Sequence, residues 1–489
     1  MTEPIVTTTG GPVRGLERRG ITVFRSIPYA AAPVGARRFR PPVPPAPWTE
    51  TYDATRFGPV APQLPSPLEA ILGAPDPVVD EDSLTLSIFT PGADDARRPV
   101  LFWIHGGAFV NGTGASPIYD GTRFAQHGDL VVVSINYRLG AFGFLHLADV
   151  FGDEFAGSGN AGILDQVLAL EWVRDNIAAF GGDPDQVTIF GESAGGMSVG
   201  TLLGCPAAQG LFARAIVQSG GGSFCRAADA ATETTRAVLA EAGIDTVAEL
   251  ESAATDAILA AQGKVLAAGA RTELPFMPVV DGTVLPRMPV EAVRAGLGAV
   301  PTMIGTTKDE MTLFTVLDLG IGEPDGDAVA AALEGTFGSR AREVHHTYQH
   351  LYPDATHHEL LTVIATDRVF RVPAVELAEA AIDARPTFMY LFAWETPVFD
   401  GKLKSCHALE LPFMWDAIDR PGLSMLTGTG GDRAALAETM HAEWIAFART
   451  GDPGFPAYDT ARRATRWYAT DCTVVDDPMP AQRELWATT

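Results

Sequence analysis

Cysteine is scarce in this sequence. The 489 residues contain only four, at positions 205, 225, 406 and 472. No two of them have the C-x-x-C spacing of a zinc or redox motif, and they are too few and too scattered for a disulfide framework. We therefore expect four reduced thiols that fill small apolar positions, in a protein of the cytoplasm.

Positive charge is also in short supply. Lysine and arginine total 35 against 60 aspartates and glutamates, which gives a formal net charge of −25. Such a surface repels the phosphates of nucleic acids and the headgroups of anionic lipids. The composition therefore argues against nucleic-acid and membrane partners, and its ordinary consequence is that it keeps the protein in solution.

Long apolar runs are missing as well. The longest ones, such as residues 130–133, have the length of a strand, whereas a membrane span needs about 20 apolar residues. Residues 1–6 carry neither the basic nor the apolar region of a secretory signal. These absences predict a cytoplasmic protein without a membrane span.

Hydrophobic residues nevertheless make up 46% of the chain, enough for a large core. Apolar runs of strand length alternate with segments of helical periodicity, which predicts an α/β protein whose mostly parallel sheet is buried on both faces. The predicted strands lie at 99–104, 130–135, 187–190, 215–218, 301–305 and 388–394, and the clearest helices at 163–180 and 194–203. Small antiparallel strands are expected at 5–7 and 21–24, followed by a stiff proline-rich connector at 41–47.

The pattern G-x-S-x-G occurs at residues 191–195, between a predicted strand and a predicted helix. In this context the motif forms a nucleophile elbow, in which the serine occupies a sharp, strained turn. Side chains two positions to either side would collide with neighbouring elements, so only small residues fit there. The turn raises the hydroxyl above the sheet and points the N-terminus of the helix at it. We therefore predict that Ser193 is a nucleophile rather than part of a structural turn.

A second glycine-rich segment, residues 105–109, directly follows the predicted strand 99–104. Attack on a carbonyl places negative charge on its oxygen, and backbone N–H groups fixed in advance stabilise that charge. Two consecutive glycines let the backbone turn its amides inward without a Cβ in the way. We predict that the donors are Gly107, Ala108 and Ala194.

A base must take the serine proton, and histidine suits this role near neutral pH. His105 belongs to the glycine-rich segment, and His441 lies on an amphipathic segment where a surface position is expected. His346 and His350 have the i, i+4 spacing of zinc ligands but lack the glutamate of H-E-x-x-H, so we expect no metal there. They belong to a polar cluster of five: His345, His346, His350, His357 and His358. His407 lies in a loop between a late strand and an apolar helix start, as a base should.

The orienting acid has two candidates, Asp309 and Glu310, because either carboxylate could hold the imidazole. Spacing does not separate them. An ion pair with Lys308 is the ordinary structural role, and it suits Asp309 better.

The chain resembles the type-B carboxylesterases, the family that includes bacterial p-nitrobenzyl esterases and cholinesterases. The resemblance is densest between residues 20 and 225, and its motifs occur in the family's order. They are Phe24–Ala30, Arg38–Pro42, Glu81–Leu84, Trp103–Phe109, Asn136–Phe144, Gly159–Gln166, Phe180–Pro184 and Phe190–Gly196. The resemblance implies an α/β-hydrolase fold and a triad of serine, glutamate and histidine in that chain order. It thereby favours Ser193, Glu310 and His407.

The resemblance also implies structural features. Secreted eukaryotic members carry a disulfide between positions that here are Ala61 and Ser83, so that bridge cannot form. This agrees with a bacterial-type enzyme in a reducing compartment, and it leaves the shape of the loop between the two positions open. The pairs Arg38 with Glu81 and Arg138 with Asp165 match family salt bridges, and Ser198 and Ser219 match small polar positions near the triad.

The expected fold is one α/β-hydrolase domain over residues 1–489, with helical insertions around 227–270 and 320–385. The expected activity is hydrolysis of uncharged carboxylic esters through an acyl-enzyme, without cofactor or metal. Carbamate or amide cleavage by the same residues is an alternative, and a non-catalytic binding module of the same fold is another. We expect a monomer or small homo-oligomer. Apolar candidates for the substrate pocket are Phe109, Phe142, Phe224, Phe276, Phe314 and Phe370.

Overall fold

A large twisted sheet organises the protein. The structure is a computed structural model, and it describes residues 3–65, 78–269, 274–316 and 325–487. Sixteen strands lie within these ranges. They are β1 (Ile5–Thr7), β2 (Pro12–Arg14), β3 (Leu16–Arg18), β4 (Ile21–Pro28), β5 (Tyr52–Asp53), β6 (Thr85–Thr90), β7 (Arg98–Ile104), β8 (Val131–Ile135), β9 (Gly182–Glu192), β10 (Arg214–Gln218), β11 (Arg226–Ala227), β12 (Val279–Val280), β13 (Thr302–Thr307), β14 (Thr387–Phe392), β15 (Ala464–Tyr468) and β16 (Thr473–Asp476).

Eleven of the described strands form the central sheet, in the order β16-β15-β14-β13-β10-β9-β7-β8-β6-β4-β3. The strands from β8 to β15 pair in parallel. Both edges are antiparallel, formed by β16 on one side and by β6, β4 and β3 on the other. The predicted α/β class with a mostly parallel sheet is confirmed. The N-terminal antiparallel strands partly extend this sheet, while β1, β2 and β5 form a small separate one.

Both faces of the sheet are buried, as the continuous apolar strands require. On β7, Phe102 and Ile104 belong to one hydrophobic cluster and Leu101 and Trp103 to the other. Successive side chains of a strand point to opposite faces, so the two clusters are the cores on the two sides of the sheet.

Helices cover the sheet and fill the connections between its strands. The α-helices of the described residues are Thr122–Gly128, Gly140–Phe144, Ala148–Phe151, Ala161–Asn176, Ala194–Leu203, Ala228–Ala242, Val247–Ser252, Thr255–Ala268, Pro289–Arg294, Thr312–Val316, Gly326–Phe337, Ala341–Leu351, His357–Thr366, Val372–Ala381, Leu411–Met414, Ser424–Thr427, Arg433–Thr450 and Pro480–Ala487. Not one of these helices combines the length and apolarity that crossing a membrane requires.

The two stretches predicted as helical insertions, 227–270 and 320–385, are mostly helical where the structure describes them. The first holds three helices between residues 228 and 268. The second holds four between 326 and 381, three of which share a small hydrophobic cluster of their own. Residues 270 and 320–324 lie outside the described residues, as do residues 66–77 of the loop between Ala61 and Ser83.

Several predicted element bounds need correction. The helix expected over 163–180 ends at Asn176 and continues as a 3₁₀ turn, Ile177–Phe180. The strand expected at 187–190 begins earlier, at Gly182. Among the strands of the central sheet, β3, β6, β15 and β16 were not predicted, because β6 and β15 mix polar with apolar residues and β3 and β16 are short.

The prediction of a surface position for His441 is wrong. This histidine lies on the helix Arg433–Thr450 and is 4% exposed. Its ring packs on Phe124 at 4.3 Å between centroids, and Nδ1 lies 2.9 Å from the carbonyl oxygen of Met414. His441 follows the buried Ala437 by four positions and precedes the buried Trp444 by three, so it lies on the buried face of this amphipathic helix. Its polarity is therefore met by a backbone partner instead of water.

The structural features that the resemblance implied are present. Arg38 contacts Glu81 through two nitrogens at 2.5 and 2.8 Å. Arg138 contacts Asp165 likewise, at 2.6 and 2.8 Å, and both side chains are almost fully buried. All four cysteines are unpaired.

Candidate active site

The predicted nucleophile lies on the turn between β9 and the helix Ala194–Leu203. Ser193 has φ 56° and ψ −126°, a conformation that side-chain-bearing residues seldom adopt. Its N–H donates to the carbonyl of Gln218 at 3.0 Å, which ties the turn to the end of β10. Strain held in place by such contacts is typical of functional turns.

The glycines of the motif are required by close packing. A Cβ on Gly191 would lie 2.6 Å from the carbonyl oxygen of Ile104, and one on Gly195 only 2.0 Å from the same atom. A Cβ on Gly196 would lie 2.2 Å from the carbonyl oxygen of Gln218. The backbones of β7, the turn and β10 therefore meet with no space for side chains, as the elbow hypothesis predicted.

The glycine-rich segment after β7 lies against this turn. A Cβ on Gly106 would be 3.1 Å from Cβ of Ser193. Gly107 has φ 116°, and a Cβ there would lie 2.1 Å from the carbonyl oxygen of Asn111. Ala108 has a positive φ too, at 54°. Within the described residues, the N–H groups of Gly107 and Ala108 donate to no protein acceptor, so they are available to a ligand.

His105 has a structural role in this segment. Its ring is buried, stacks on Tyr137 at 4.6 Å between centroids, and places Nδ1 2.8 Å from the carbonyl oxygen of Gly106. Burial lowers the pKa of His105 to about 4, which keeps the imidazole neutral. The ring therefore supports the loop without adding charge.

The predicted base and acid meet in the structure. Nδ1 of His407 lies 2.5 Å from Oε2 of Glu310, and both side chains are buried. The backbones meet as well, since the N–H of His407 donates to the carbonyl of Glu310 at 3.2 Å. His407 follows β14 and Glu310 follows β13, which are neighbouring parallel strands. Their carboxyl ends share one edge of the sheet, so the two loops converge.

The structure separates the two acid candidates. Besides His407, Glu310 accepts hydrogen bonds from the hydroxyl of Ser219 at 2.6 Å and from the N–H of Thr307 at 2.8 Å. Asp309 points elsewhere, with Oδ2 3.5 Å from Nζ of Lys308. Glu310 is thus the carboxylate that the structure brings to the histidine, and Ser219 supports it as a small polar neighbour.

The other side of the His407 ring faces the nucleophile turn. Nε2 lies 3.1 Å from Oε1 of Glu192, the residue directly before Ser193. Burial acts to lower the pKa of His407, but Glu192 and Glu310 outweigh it and raise the pKa to about 9. Burial in turn raises the pKa of Glu192 to about 7 despite the opposing effect of His407.

A third buried carboxylate, Glu410, completes the electrostatics of the site. It lies on the turn that leads into the helix Leu411–Met414 and accepts a hydrogen bond from Nε2 of Gln218 at 3.2 Å. Burial, followed by the charges of Glu192 and Glu310, raises the pKa of Glu410 to about 8. A triad needs only one carboxylate beside its imidazole. Here three surround His407, and all of them favour its charged form.

Sequence reasoning missed Glu192 and Glu410. A signal for each was present, because both are acidic residues in otherwise apolar surroundings. Glu192 ends an apolar strand, and Glu410 stands between two leucines three positions after His407. A charged residue in such a place is seldom buried without a partner.

The six phenylalanines predicted for the pocket divide into groups. Phe370 and Phe314 lie beside His407, at 4.8 and 5.3 Å between ring centroids, and Phe314 is 46% exposed. Phe224 is partly buried at the edge of the large hydrophobic cluster. The remaining three are fully buried members of that cluster: Phe109, Phe142 and Phe276. Phe109 packs on Phe144, and Phe142 stacks on Phe39.

The polar histidine cluster lies apart from this site, on the helices Ala341–Leu351 and His357–Thr366. His345 and His357 face one another at 5.4 Å, whereas His346 and His350 are exposed. Among the described residues, the one group of three potential metal ligands involves none of the five histidines.

Comparison with known proteins agrees with this geometry. Residues 2–473 match the model of the carboxylesterase family. The chain is 39% identical to the para-nitrobenzyl esterase of Bacillus subtilis strain 168, over 99% of this chain and 98% of that protein. It is 37% identical to the phenmedipham hydrolase of Pseudarthrobacter oxydans, over 93% and 91%.

Solved structures give the same result. The crystal structure of the Geobacillus stearothermophilus carboxylesterase EST55 at pH 6.2 superposes with a TM-score of 0.89 at 44% identity, covering 99% of both chains. A PNB esterase structure superposes with a TM-score of 0.88 at 38% identity, again over 99% of both. The fold is therefore that of the α/β-hydrolases, as predicted. The chain belongs to the carboxylesterase family and is a carboxylic ester hydrolase.

Proposed function

We propose that Ser193 is the nucleophile of this esterase, His407 its general base and Glu310 the acid that orients the base. The observation that carries the proposal is the position of the His407 ring. Nδ1 is held by Glu310 at 2.5 Å, and Nε2 faces the turn that bears Ser193. A base held on one nitrogen and free to exchange a proton on the other is what acyl transfer requires.

Acylation begins when the hydroxyl of Ser193 attacks the ester carbonyl and passes its proton to Nε2 of His407. Glu192, the residue before Ser193, lies 3.1 Å from Nε2 in the free enzyme, and during acylation the hydroxyl of Ser193 takes its place as the partner of this nitrogen. The carboxylate of Glu310 stabilises the imidazolium that forms. The imidazolium then protonates the departing alcohol, which leaves an acyl group on Ser193.

The negative charge that develops on the carbonyl oxygen needs donors fixed beforehand. The N–H groups of Gly107 and Ala108, together with the first N–H of the helix at Ala194, are the proposed oxyanion hole. Close packing holds both segments in place, so the donors need little reorganisation during the reaction. Each such donor contributes roughly 3 kcal/mol to lowering the barrier.

Deacylation repeats the same proton transfers with water. His407 takes a proton from the water that attacks the acyl-enzyme, and the second tetrahedral intermediate uses the same N–H donors. When this intermediate collapses, Ser193 recovers its proton from Nε2, and the carboxylic acid departs.

We further propose that the substrates are uncharged esters. Phe314 and Phe370 place two aromatic faces beside the base, and the buried carboxylates Glu192 and Glu410 disfavour an anionic group nearby. A net charge of −25 adds long-range repulsion of anions. Rates on p-nitrophenyl esters of graded acyl length measure the preference for apolar acyl groups. Comparison with hemisuccinate esters measures the discrimination against anionic ones.

The test of the proposed nucleophile is the variant Ser193→Ala assayed with p-nitrophenyl acetate. We expect kcat/KM to fall by at least about 10⁴-fold. The matched control is Ser252→Ala, because that serine is exposed at the end of the helix Val247–Ser252. Full activity of Ser193→Ala alongside the control would overturn the assignment.

We also propose a bacterial cytoplasmic setting and a monomer or small homo-oligomer. The unpaired thiols support a reducing compartment. None of the four cysteines forms a disulfide, and three of them are buried as free thiols in the core. Fractionation of cells of a bacterial source and light scattering of the purified chain test the two points. A protein recovered outside the cytoplasm or as a large assembly would contradict them.

A further inference from the structure

Three potential metal ligands converge away from the residues proposed for ester hydrolysis. They are His127 on the helix Thr122–Gly128, Asp416 just after the helix Leu411–Met414, and His441 on the helix Arg433–Thr450. Each offers one ligand atom, and these atoms all lie within 4.8 Å of one another. Segments that are far apart in sequence therefore present two imidazoles and a carboxylate to one point.

His441 is the buried member of the group, and its hydrogen bonding suits a metal ligand. Nδ1 lies 2.9 Å from the carbonyl oxygen of Met414, a contact that places the ring proton on Nδ1. Nε2 is buried and has no hydrogen-bond partner in the part of the chain that the structure describes. Histidines that bind zinc commonly donate one ring N–H to a carbonyl and bind the metal through the lone pair of the other nitrogen. His441 has this arrangement.

The two oxygens of Asp416 have different neighbours. Oδ1 lies 3.4 Å from Nη1 of Arg123, while Oδ2 lies 3.7 Å from Nδ1 of His127. The guanidinium of Arg123 is already engaged by Asp419 at 2.6 Å and by the backbone carbonyl of Asp416. Since no described residue donates a hydrogen bond to Oδ2, this oxygen remains for a cation.

The spacing of His127 and Asp416 exceeds a hydrogen bond and approaches that of two ligands of one ion. Two atoms that each lie about 2.0 to 2.1 Å from a tetrahedral zinc are about 3.3 Å apart. The observed 3.7 Å needs only a small movement, and the other two separations, neither of which exceeds 4.8 Å, need a contraction of at most about 1.5 Å. His127 can supply it, because half of its side chain is exposed to solvent, which also gives an ion a path of entry.

We infer that His127, Asp416 and His441 form a binding site for one divalent transition-metal ion of the zinc class. Two neutral imidazoles and one carboxylate are ligands that zinc accepts, and water from the solvent side completes a tetrahedron. The ion joins two helices to the loop after the helix Leu411–Met414. It takes no part in the proposed ester chemistry, so its effect is to brace these three segments.

Isothermal titration of the untagged full-length chain with ZnCl₂ tests the inference, with MgCl₂ as the comparison ion. We expect one zinc per chain at this site and no heat from magnesium. His127→Ala removes a half-exposed ligand without disturbing the core, and it should weaken zinc binding at least about tenfold, because loss of even an outer partner of a ligand costs 10- to 100-fold. Asp416→Asn should do the same, and asparagine tolerates the positive φ of 48° at this position.

The matched control is His346→Ala, which alters an exposed histidine of the separate cluster and should leave the affinity unchanged. Cobalt substitution gives a second readout, since a four-coordinate Co²⁺ site absorbs strongly in the visible region. We expect that absorption in the wild-type chain and its loss in His127→Ala. An absence of zinc binding would overturn the inference. So would wild-type affinity in both ligand variants, or loss of binding only in His346→Ala.

Discussion

Nδ1 of His407 lies 2.5 Å from Oε2 of Glu310, although 97 positions separate the two residues in the sequence. The contact fixes the ring so that only Nε2 can exchange protons at the nucleophile turn. It arises because β13 and β14 are parallel neighbours, and the loops that follow them leave the sheet at the same edge. The sheet therefore sets the geometry of the proposed base.

The first prediction concerns the choice between two adjacent carboxylates. Glu310→Gln keeps the size of the side chain but removes the charge that stabilises the imidazolium, so kcat should fall by about 10³- to 10⁴-fold. Asp309→Asn changes a carboxylate that pairs with Lys308 instead, and it should stay within several-fold of wild type. Steady-state rates with p-nitrophenyl acetate measure both variants. Equal losses in the two would refute the assignment of Glu310.

The second prediction concerns pH. His407 must be neutral to accept the serine proton, and its pKa is raised to about 9, so kcat/KM should decline as the pH falls below that value. Glu192→Gln removes a negative charge 3.1 Å from Nε2. Because that charge favours the imidazolium, its removal lowers the pKa of His407, and the acidic limb of the profile should move to lower pH.

The control for the pH profile is Glu395→Gln. Glu395 is an exposed carboxylate that pairs with Lys308, and it makes no contact with His407. The acidic limb of the Glu395→Gln profile should coincide with that of the wild type. The profiles are measured as kcat/KM against pH, with an ester that does not ionise over the pH range used. A limb that stays in place in Glu192→Gln, or moves to higher pH, would show that Glu192 does not raise the pKa of the base.

Much of the fold could be predicted from the sequence because a buried parallel sheet leaves a simple pattern. Strands β7, β8 and β10 are apolar on both faces, and each was predicted to within one residue. The elbow helix Ala194–Leu203 has the predicted bounds. Strands β15 and β16 were missed because strands at the edge of a sheet, or next to it, tolerate polar residues. β15 contains Arg466, and the short edge strand β16 ends in Asp476.

The site was predictable where backbone geometry demands particular residues and less so elsewhere. The glycines around Ser193 carry information because a Cβ there would collide with a carbonyl oxygen. The contact of Glu192 with His407 left no comparable pattern, since it depends on a ring orientation set by tertiary structure. Phe109, Phe142 and Phe276 illustrate the same limit. They lie in the core, and the sequence alone does not distinguish a phenylalanine of the core from one that lines a pocket.

The third prediction tests the close packing of the elbow. Gly195→Ala places a Cβ 2.0 Å from the carbonyl oxygen of Ile104, and backbone cannot move aside cheaply. We expect a loss of about 3 kcal/mol or more in the free energy of unfolding, together with most of the activity. Gly335→Ala, on the helix Gly326–Phe337, is the matched control, since no atom of the described residues lies within 4 Å of a Cβ added there. It should instead stabilise the chain by about 0.5 to 1 kcal/mol in urea denaturation.

The fourth prediction concerns the buried ion pair of Arg138 and Asp165. Arg138→Met leaves the carboxylate of Asp165, which is fully buried, without its partner. This should cost about 3 to 5 kcal/mol of the free energy of unfolding. Arg174→Met breaks the exposed pair with Asp175 and should cost less than about 1 kcal/mol. Similar losses in the two variants would mean that Arg138 contributes no more than a surface charge.

The most direct test of the proposed acyl-transfer site is to locate a covalent adduct by mass spectrometry. A fluorophosphonate phosphonylates an activated serine, and trypsin then releases residues 175–214, which contain both Ser193 and Ser198. Fragmentation of that peptide should place the whole adduct on Ser193, and His407→Gln should abolish the labelling. An adduct on Ser198 or on another peptide, or labelling that persists without the imidazole, would contradict the assignment of Ser193 and His407.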